Sequence, residues 1–298
     1  MKTIKFVLMS LVAAILVGCG TTSTVPITGR KQNLLVSDGD VLSLSNQQYQ
    51  QYMQSAKPST NAQNTAMVKR VGQNLANAVV SYLNANGMGA EVSNYNWEFN
   101  LVQDQQVNAW CMPGGKIVVY EGLLPITQDE ASLAIVLGHE IAHAVAKHSA
   151  EQLSTQVKQQ YAMQIGTMVA GALGMGANTQ SIVQAIAAQG FNFKNLSYSR
   201  NHENEADHMG LIFAAMAGYD PQVALSFWQR MAAASTNQTA EFLSDHPSDA
   251  TRIKNIQGWM PEAQQYYKPK TTTTTTKTTT KTTTKKTSTT TKKTSTKK

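Results

Sequence analysis

Residues 136–148 read VLGHEIAHAVAKH. Two histidines and a glutamate interrupt a run that is otherwise mostly small and apolar. An unpartnered polar group in a core costs roughly 1–3 kcal/mol, and an ionised one more, so these three side chains need compensation. The run reads as a helix. Thr127 and Glu130 have capping-box spacing, Asp129 favours the same end, and Lys147 and His148 suit the other. A helix over residues 128–149 is expected. On it, His139 and His143 differ by about 40° of rotation and about 6 Å of rise. Both imidazoles therefore leave one face and can converge on one ion. Glu140 lies about 100° round from His139, within reach of a water on that ion. A His-Glu-x-x-His helix points to a zinc site with the glutamate as general base.

Such a site needs a third protein ligand. His148 follows His143 by five residues, about 140° round a continuous helix, and reads as an exposed histidine at the helix end. The better source is residues 199–210, SRNHENEADHMG, which open a helix running through LIFAAMAG and closing at Gly218. Glu203 and Asp207 are four apart and share a face. Glu205 lies about 200° from Glu203 and faces elsewhere. Glu203 is assigned to the metal, and Asp207 to fixing a histidine ring from behind. Glu205 stands as the alternative ligand.

Two further segments carry local signals. Residues 108–112 and 116–120 are β-prone and joined by Pro113-Gly114-Gly115, a hairpin pattern. The edge of such a hairpin can hold an extended peptide by strand addition, with main-chain groups near Asn108 and Ala109 aligning it. In DHPSDATRI, residues 245–253, His246 reads on its own as a solvent-exposed loop histidine, and Arg252 as a loop anchor through an ion pair.

Together, GHEIAHAVAKHS, SRNHENEADHMG, NAWCMPGGKIVVYEGLL and DHPSDATRI resemble the M48 peptidases. These are zinc metalloproteases of the gluzincin kind that include bacterial periplasmic members. The resemblance spans residues 40–261; Trp110-Cys111 replaces a more usual apolar pair. It implies an α+β, mostly helical, zincin-like fold with a small antiparallel sheet beside the His-Glu-x-x-His helix. It also implies one Zn²⁺ per chain on His139, His143 and Glu203, with Glu140 as base. His246 is then expected to face the zinc, stabilising the oxyanion or filling the open position. The implied reaction is hydrolysis of internal peptide bonds in unfolded or misassembled envelope proteins, with outer-membrane assembly machinery as a further partner. The competing reading is a non-catalytic assembly factor or chaperone with a structural zinc; a purely structural site has no need of Glu140.

The ends of the chain suggest a location. Lys2 and Lys5 precede twelve apolar or small residues, Phe6 to Val17, too few to span a bilayer and typical of a signal peptide. Leu16-Val17-Gly18-Cys19 resembles a bacterial lipobox, implying cleavage before Cys19 and lipidation of its thiol. Several acyl chains anchor durably where one is marginal. Gly20 suggests the outer membrane, facing the periplasm. Of the two cysteines only Cys111 would remain, excluding an intramolecular disulfide. Residues 268–298 contain ten lysines and no acid, so without them the formal charge falls from +7 to −3. The basic character thus belongs to the tail, and no nucleic-acid partner is expected for the folded part. The expected organisation is a signal peptide (1–18), a lipidated cysteine and tether (19–36), the peptidase domain (37–266) and a disordered Thr/Lys tail (267–298). Residues 152–189 read as helix broken at GALGMGAN, a candidate lid.

Overall fold

The computed structural model describes residues 21–170, 179–235, 246 and 251–269. It begins with an antiparallel hairpin of β1 (Thr21–Thr24) and β2 (Lys31–Leu34). Two helices follow, α1 (Asp38–Ser55) and α2 (Ala62–Ala85). The side chains of Ser37 and Asn61 cap them by accepting from the main-chain N–H three residues on. Next come β3 (Glu98–Val102), β4 (Ala109–Met112) and β5 (Lys116–Tyr120), then a single helical turn, Leu124–Thr127. The remaining elements are helices: α3 (Glu130–Val145), α4 (His148–Ala170), α5 (Thr179–Ala188), α6 (Arg200–Met216), α7 (Val223–Ser235) and α8 (Thr251–Tyr266). Among the described residues, no helix is long and apolar enough to cross a membrane.

Strand order in the second sheet is β3-β5-β4. The β4–β5 hairpin is antiparallel, as its turn sequence predicts, with Gly114 and Gly115 at φ +86° and +80°. β3, however, pairs parallel to β5, so the sheet is mixed rather than purely antiparallel. Hairpin signals govern neighbours in sequence and say nothing about a pairing made across β4. Both faces of the sheet are covered. Phe99, Leu101, Cys111, Ile117 and Val119 join a core with α2, α3, α6 and α7. Val102, Trp110, Met112, Val118 and Tyr120 join a second core with α1, α4, α5 and β2. A sheet buried on both sides needs near-continuous apolar strands, and KIVVY and AWCM supply them.

Three local expectations change. α3 starts at Glu130, capped by Asp129 accepting from the Ser132 N–H; Thr127 instead donates to the Leu124 carbonyl in the preceding turn. α3 also ends sooner than expected, at Val145. Lys147 adopts φ +57°, pinned by ion pairs to Asp38 and Glu91, and α4 starts afresh at His148. Lastly, residues 21–34, read as tether, are the β1–β2 hairpin packed on the domain, with Val25 and Leu34 in the two cores. The signal peptide, Cys19, GALGMGAN and the tail beyond residue 269 lie outside the described residues.

Candidate metal centre

α3 and α6 cross backbone to backbone at two glycines. A Cβ on Gly138 would stand 2.6 Å from the Gly210 carbonyl oxygen, and one on Gly210 would stand 2.6 Å from the His139 nitrogen. Only glycine permits that approach. It matters because Gly138 directly precedes His139, while Glu203 and Asp207 lie within two turns of Gly210. The crossing brings the carboxylates of α6 onto the imidazoles of α3.

The donor atoms converge. His139 Nε2 is 3.1 Å from His143 Nε2 and 3.4 Å from Glu203 Oε2; His143 Nε2 is 3.4 Å from Glu203 Oε1. His246 Nδ1 lies 3.1 Å from both His139 Nε2 and Glu203 Oε1. All four residues are buried and offer donors within 4.8 Å of one another. Four ligands placed tetrahedrally about 2.0–2.1 Å from zinc sit roughly 3.3 Å apart, so the 3.1–3.4 Å spacing fits that ion. Glu203 Oε2, buried and without a hydrogen bond, fits it too. Burial opposes a charge on Glu203, but His246, His139 and His143 hold its carboxyl well below the usual range. Burial also keeps His143 neutral, the form that can donate to a metal.

The other predicted residues take up defined places. Glu140, 2% exposed, has Oε1 3.4 Å from His246 Nε2. His246 therefore stands between the base and the ligand triad, buried at 4% rather than exposed as its loop sequence alone suggests. Asp207 Oδ1 is 2.9 Å from His139 Nδ1 and fixes that ring from behind. Arg252 is the ion-pair anchor expected, with Asp207 as its partner: Nη2 donates at 2.6 Å and the guanidinium lies 3.4 Å from the Trp228 ring centre. Glu205 does not reach the donor cluster; it accepts from Thr28, Arg30 and His148. Asn108 and Ala109 are buried where β4 begins, and Asn108 Oδ1 accepts from the Ala109 N–H at 2.8 Å. β4 is an edge strand of the sheet, the position that strand addition requires. Cys111 is a free, buried thiol whose pKa burial pushes up, in keeping with a structural strand cysteine.

Two features escape a reading of the sequence. His148 is fully buried, with Nδ1 2.9 Å from His143 Nδ1. The exposed placement assumed a continuous helix, and the left-handed turn at Lys147 swings His148 back onto His143. Burial pulls the His148 pKa down to about 4. Tyr198 stacks on His143 with ring centres 4.0 Å apart, and its hydroxyl pairs with Ser149 Oγ at 2.8 Å. A lone tyrosine ahead of a helix cap gives no signal of that role.

Comparison with known proteins agrees with this geometry. Residues 45–260 match the family model described as Peptidase family M48. Mitochondrial metalloendopeptidase OMA1 of Schizosaccharomyces pombe is 38% identical over 176 residues, 58% of this chain and 49% of that protein. The OMA1 metalloendopeptidase of Homo sapiens is 30% identical over 244 residues, 80% of this chain and 46% of the other. The beta-barrel assembly-enhancing protease of Yersinia pestis is 30% identical over 168 residues, 53% of this chain and 33% of its own. The chain thus spans half or less of the length of these relatives. With the match covering both ligand helices and the donor set suited to zinc, the chain belongs to peptidase family M48.

Proposed function

We propose that this chain is a zinc-dependent endopeptidase of the cell envelope, acting on unfolded or misassembled proteins. The observation that carries the peptidase reading is a buried carboxylate, Glu140, on the helix of His139 and His143 and 3.4 Å from His246 Nε2, whose Nδ1 meets the ligand set of His139, His143 and Glu203. Zinc held by this set would supply Lewis-acid polarisation of the scissile carbonyl and would acidify a water. His139 and His143 present Nε2, with Asp207 fixing the first ring; Glu203 completes the set with an anionic oxygen. Glu140 takes the proton of the attacking water and returns it to the leaving amine. The edge of β4 near Asn108 and Ala109 aligns the extended substrate by main-chain hydrogen bonds.

His246 restrains the site. Its Nδ1 takes the fourth corner of the donor set and its Nε2 faces Glu140, so it occupies the ground that water and substrate must share. An enzyme tethered among envelope proteins benefits from such a block, which substrate binding would displace. The envelope location rests on the lipobox at Cys19. The quality-control role draws on the kinship with a protein named for enhancing beta-barrel assembly. Outer-membrane assembly machinery is the partner this reading suggests.

The test is direct. Purified mature protein should degrade unfolded casein, lose that activity with a chelator and regain it with zinc. Zinc binding without cleavage of any unfolded substrate would favour the non-catalytic assembly factor.

A further inference from the structure

Each metal-binding histidine has an acid and an arginine behind it, but the two arrangements differ in length. Behind His139 the chain of contacts is short: Asp207, then Arg252. Behind His143 it passes through a second imidazole. His143 Nδ1 meets His148 Nδ1 at 2.9 Å, His148 Nε2 meets Glu205 Oε2 at 2.9 Å, and Arg30 Nε donates to the same oxygen at 2.8 Å. Thr28 Oγ1 donates to Glu205 Oε1 at 2.6 Å. Thr28 and Arg30 belong to the turn of the β1–β2 hairpin, far from α3 and α6 in sequence. Arg30 is held in place from its other end by Glu151, through Nη1 at 3.0 Å and Nη2 at 2.9 Å.

The proton positions along this chain follow from chemistry. A histidine that coordinates through Nε2 carries its proton on Nδ1 and donates it. His148 Nδ1 must then accept, so His148 carries its proton on Nε2 and donates to Glu205. Arg30 and Thr28 can only add donors to that carboxylate. Every contact from the hairpin to His143 is thus satisfied in one direction, and no reversal is open without leaving a buried group unpaired. An anionic acceptor at the far end increases the basicity of the near ring, as direct carboxylate–histidine contacts do at metal sites.

We propose that the N-terminal hairpin is a working part of the metal centre: Arg30 and Thr28, through Glu205 and His148, orient His143 and set its donor strength. All four are positioning residues, since none reaches the metal or substrate. The inference rests on the zinc site and not on peptide cleavage. It gives the β1–β2 hairpin, the first element among the described residues, a direct mechanical and electrostatic link to the metal centre.

The experiment measures zinc affinity by competition with a chromophoric chelator, and Tm with zinc and with excess chelator, on purified mature protein. Glu205→Gln keeps the side-chain size but removes the anionic acceptor. It should raise the zinc Kd about 10- to 100-fold and shrink the zinc-dependent gain in Tm. Arg30→Gln should act in the same direction, and Arg30→Lys should recover part of the loss. If Glu205→Gln does not fold, Arg30→Gln carries the test from the half-exposed end of the chain. A hairpin that only braces the fold would lower both Tm values together and leave Kd within about twofold of wild type; that result overturns the proposal. A wild-type protein that binds no zinc would refute the metal centre itself, whereas absence of peptidase activity leaves the affinity comparison intact.

Discussion

His246 is the residue whose substitution separates two chemistries most cleanly. Its Nδ1 and Nε2 address the ligand set and Glu140 at once, which suits a plug. His246→Ala should keep zinc on the remaining three ligands and raise both turnover of unfolded substrates and self-cleavage. A kcat reduced about 10²-fold at unchanged metal content would instead assign it to oxyanion stabilisation. The two glutamates of α6 divide just as sharply. Glu203→Gln removes a ligand and should cost far more zinc affinity than Glu205→Gln, which acts at two removes; metal analysis of both variants checks the order. At this scale the spacing of His139, Glu140, His143, Glu203 and Asp207 was legible, because helical period alone decides which side chains share a face. His148 and Arg30 were not. The first depended on one left-handed residue, Lys147, and the second on contacts that cross from the hairpin to α6 without any local pattern.

At the scale of elements, the site depends on how closely α3 and α6 approach. A methyl at either Gly138 or Gly210 meets main-chain atoms at 2.6 Å, and main chain cannot turn aside as a side chain does. Gly210→Ala should therefore destabilise the fold by about 1–3 kcal/mol. By separating the helices it should also weaken zinc binding, although residue 210 touches no metal. Denaturant unfolding with and without zinc measures both effects; an unchanged zinc Kd would mean that the donors do not depend on this crossing. The helix of His139 was readable from its apolar run, although its cap is Asp129 rather than the Thr127 box that the spacing suggests. Glycines at a crossing are not readable in that way, since a glycine in a helix looks the same whether it marks weakness or contact.

Over the whole molecule, the cluster of Glu151 with His202 and Arg30 is expected to make stability depend on pH. Hydrogen bonding from His202, outweighing burial and joined by Arg30, lowers the Glu151 pKa from 4.5 to about 2. A carboxylate depressed on folding contributes stability above its unfolded value, and that contribution fades as pH falls through the folded value. The Tm difference between wild type and Glu151→Gln should accordingly be full above about pH 4.5 and shrink towards pH 2. A gap that is constant across this window would show that Glu151 does not act as a charge. Location lies at the same scale. Cys19→Ser should abolish acylation and release the protein from membranes, while truncation after Tyr267 should leave folding and zinc binding intact. Labelled palmitate in the Cys19→Ser protein, or loss of the folded state on truncation, would contradict the lipobox and tail readings respectively. The segment expected as a tether is ordered for a physical reason: TTSTV and GRKQN are polar, but a two-stranded hairpin anchored by Val25, Leu34 and a partly buried ion pair needs few apolar residues.

A Glu140 that serves as the base of a zinc-dependent peptidase should be disabled by Glu140→Gln, with little change in shape. Zinc stoichiometry and casein cleavage should be measured on the same preparation. One zinc per chain is expected in both proteins, with a loss of cleavage on the order of 10²-fold or more in the variant. Retained cleavage at full zinc occupancy would contradict it.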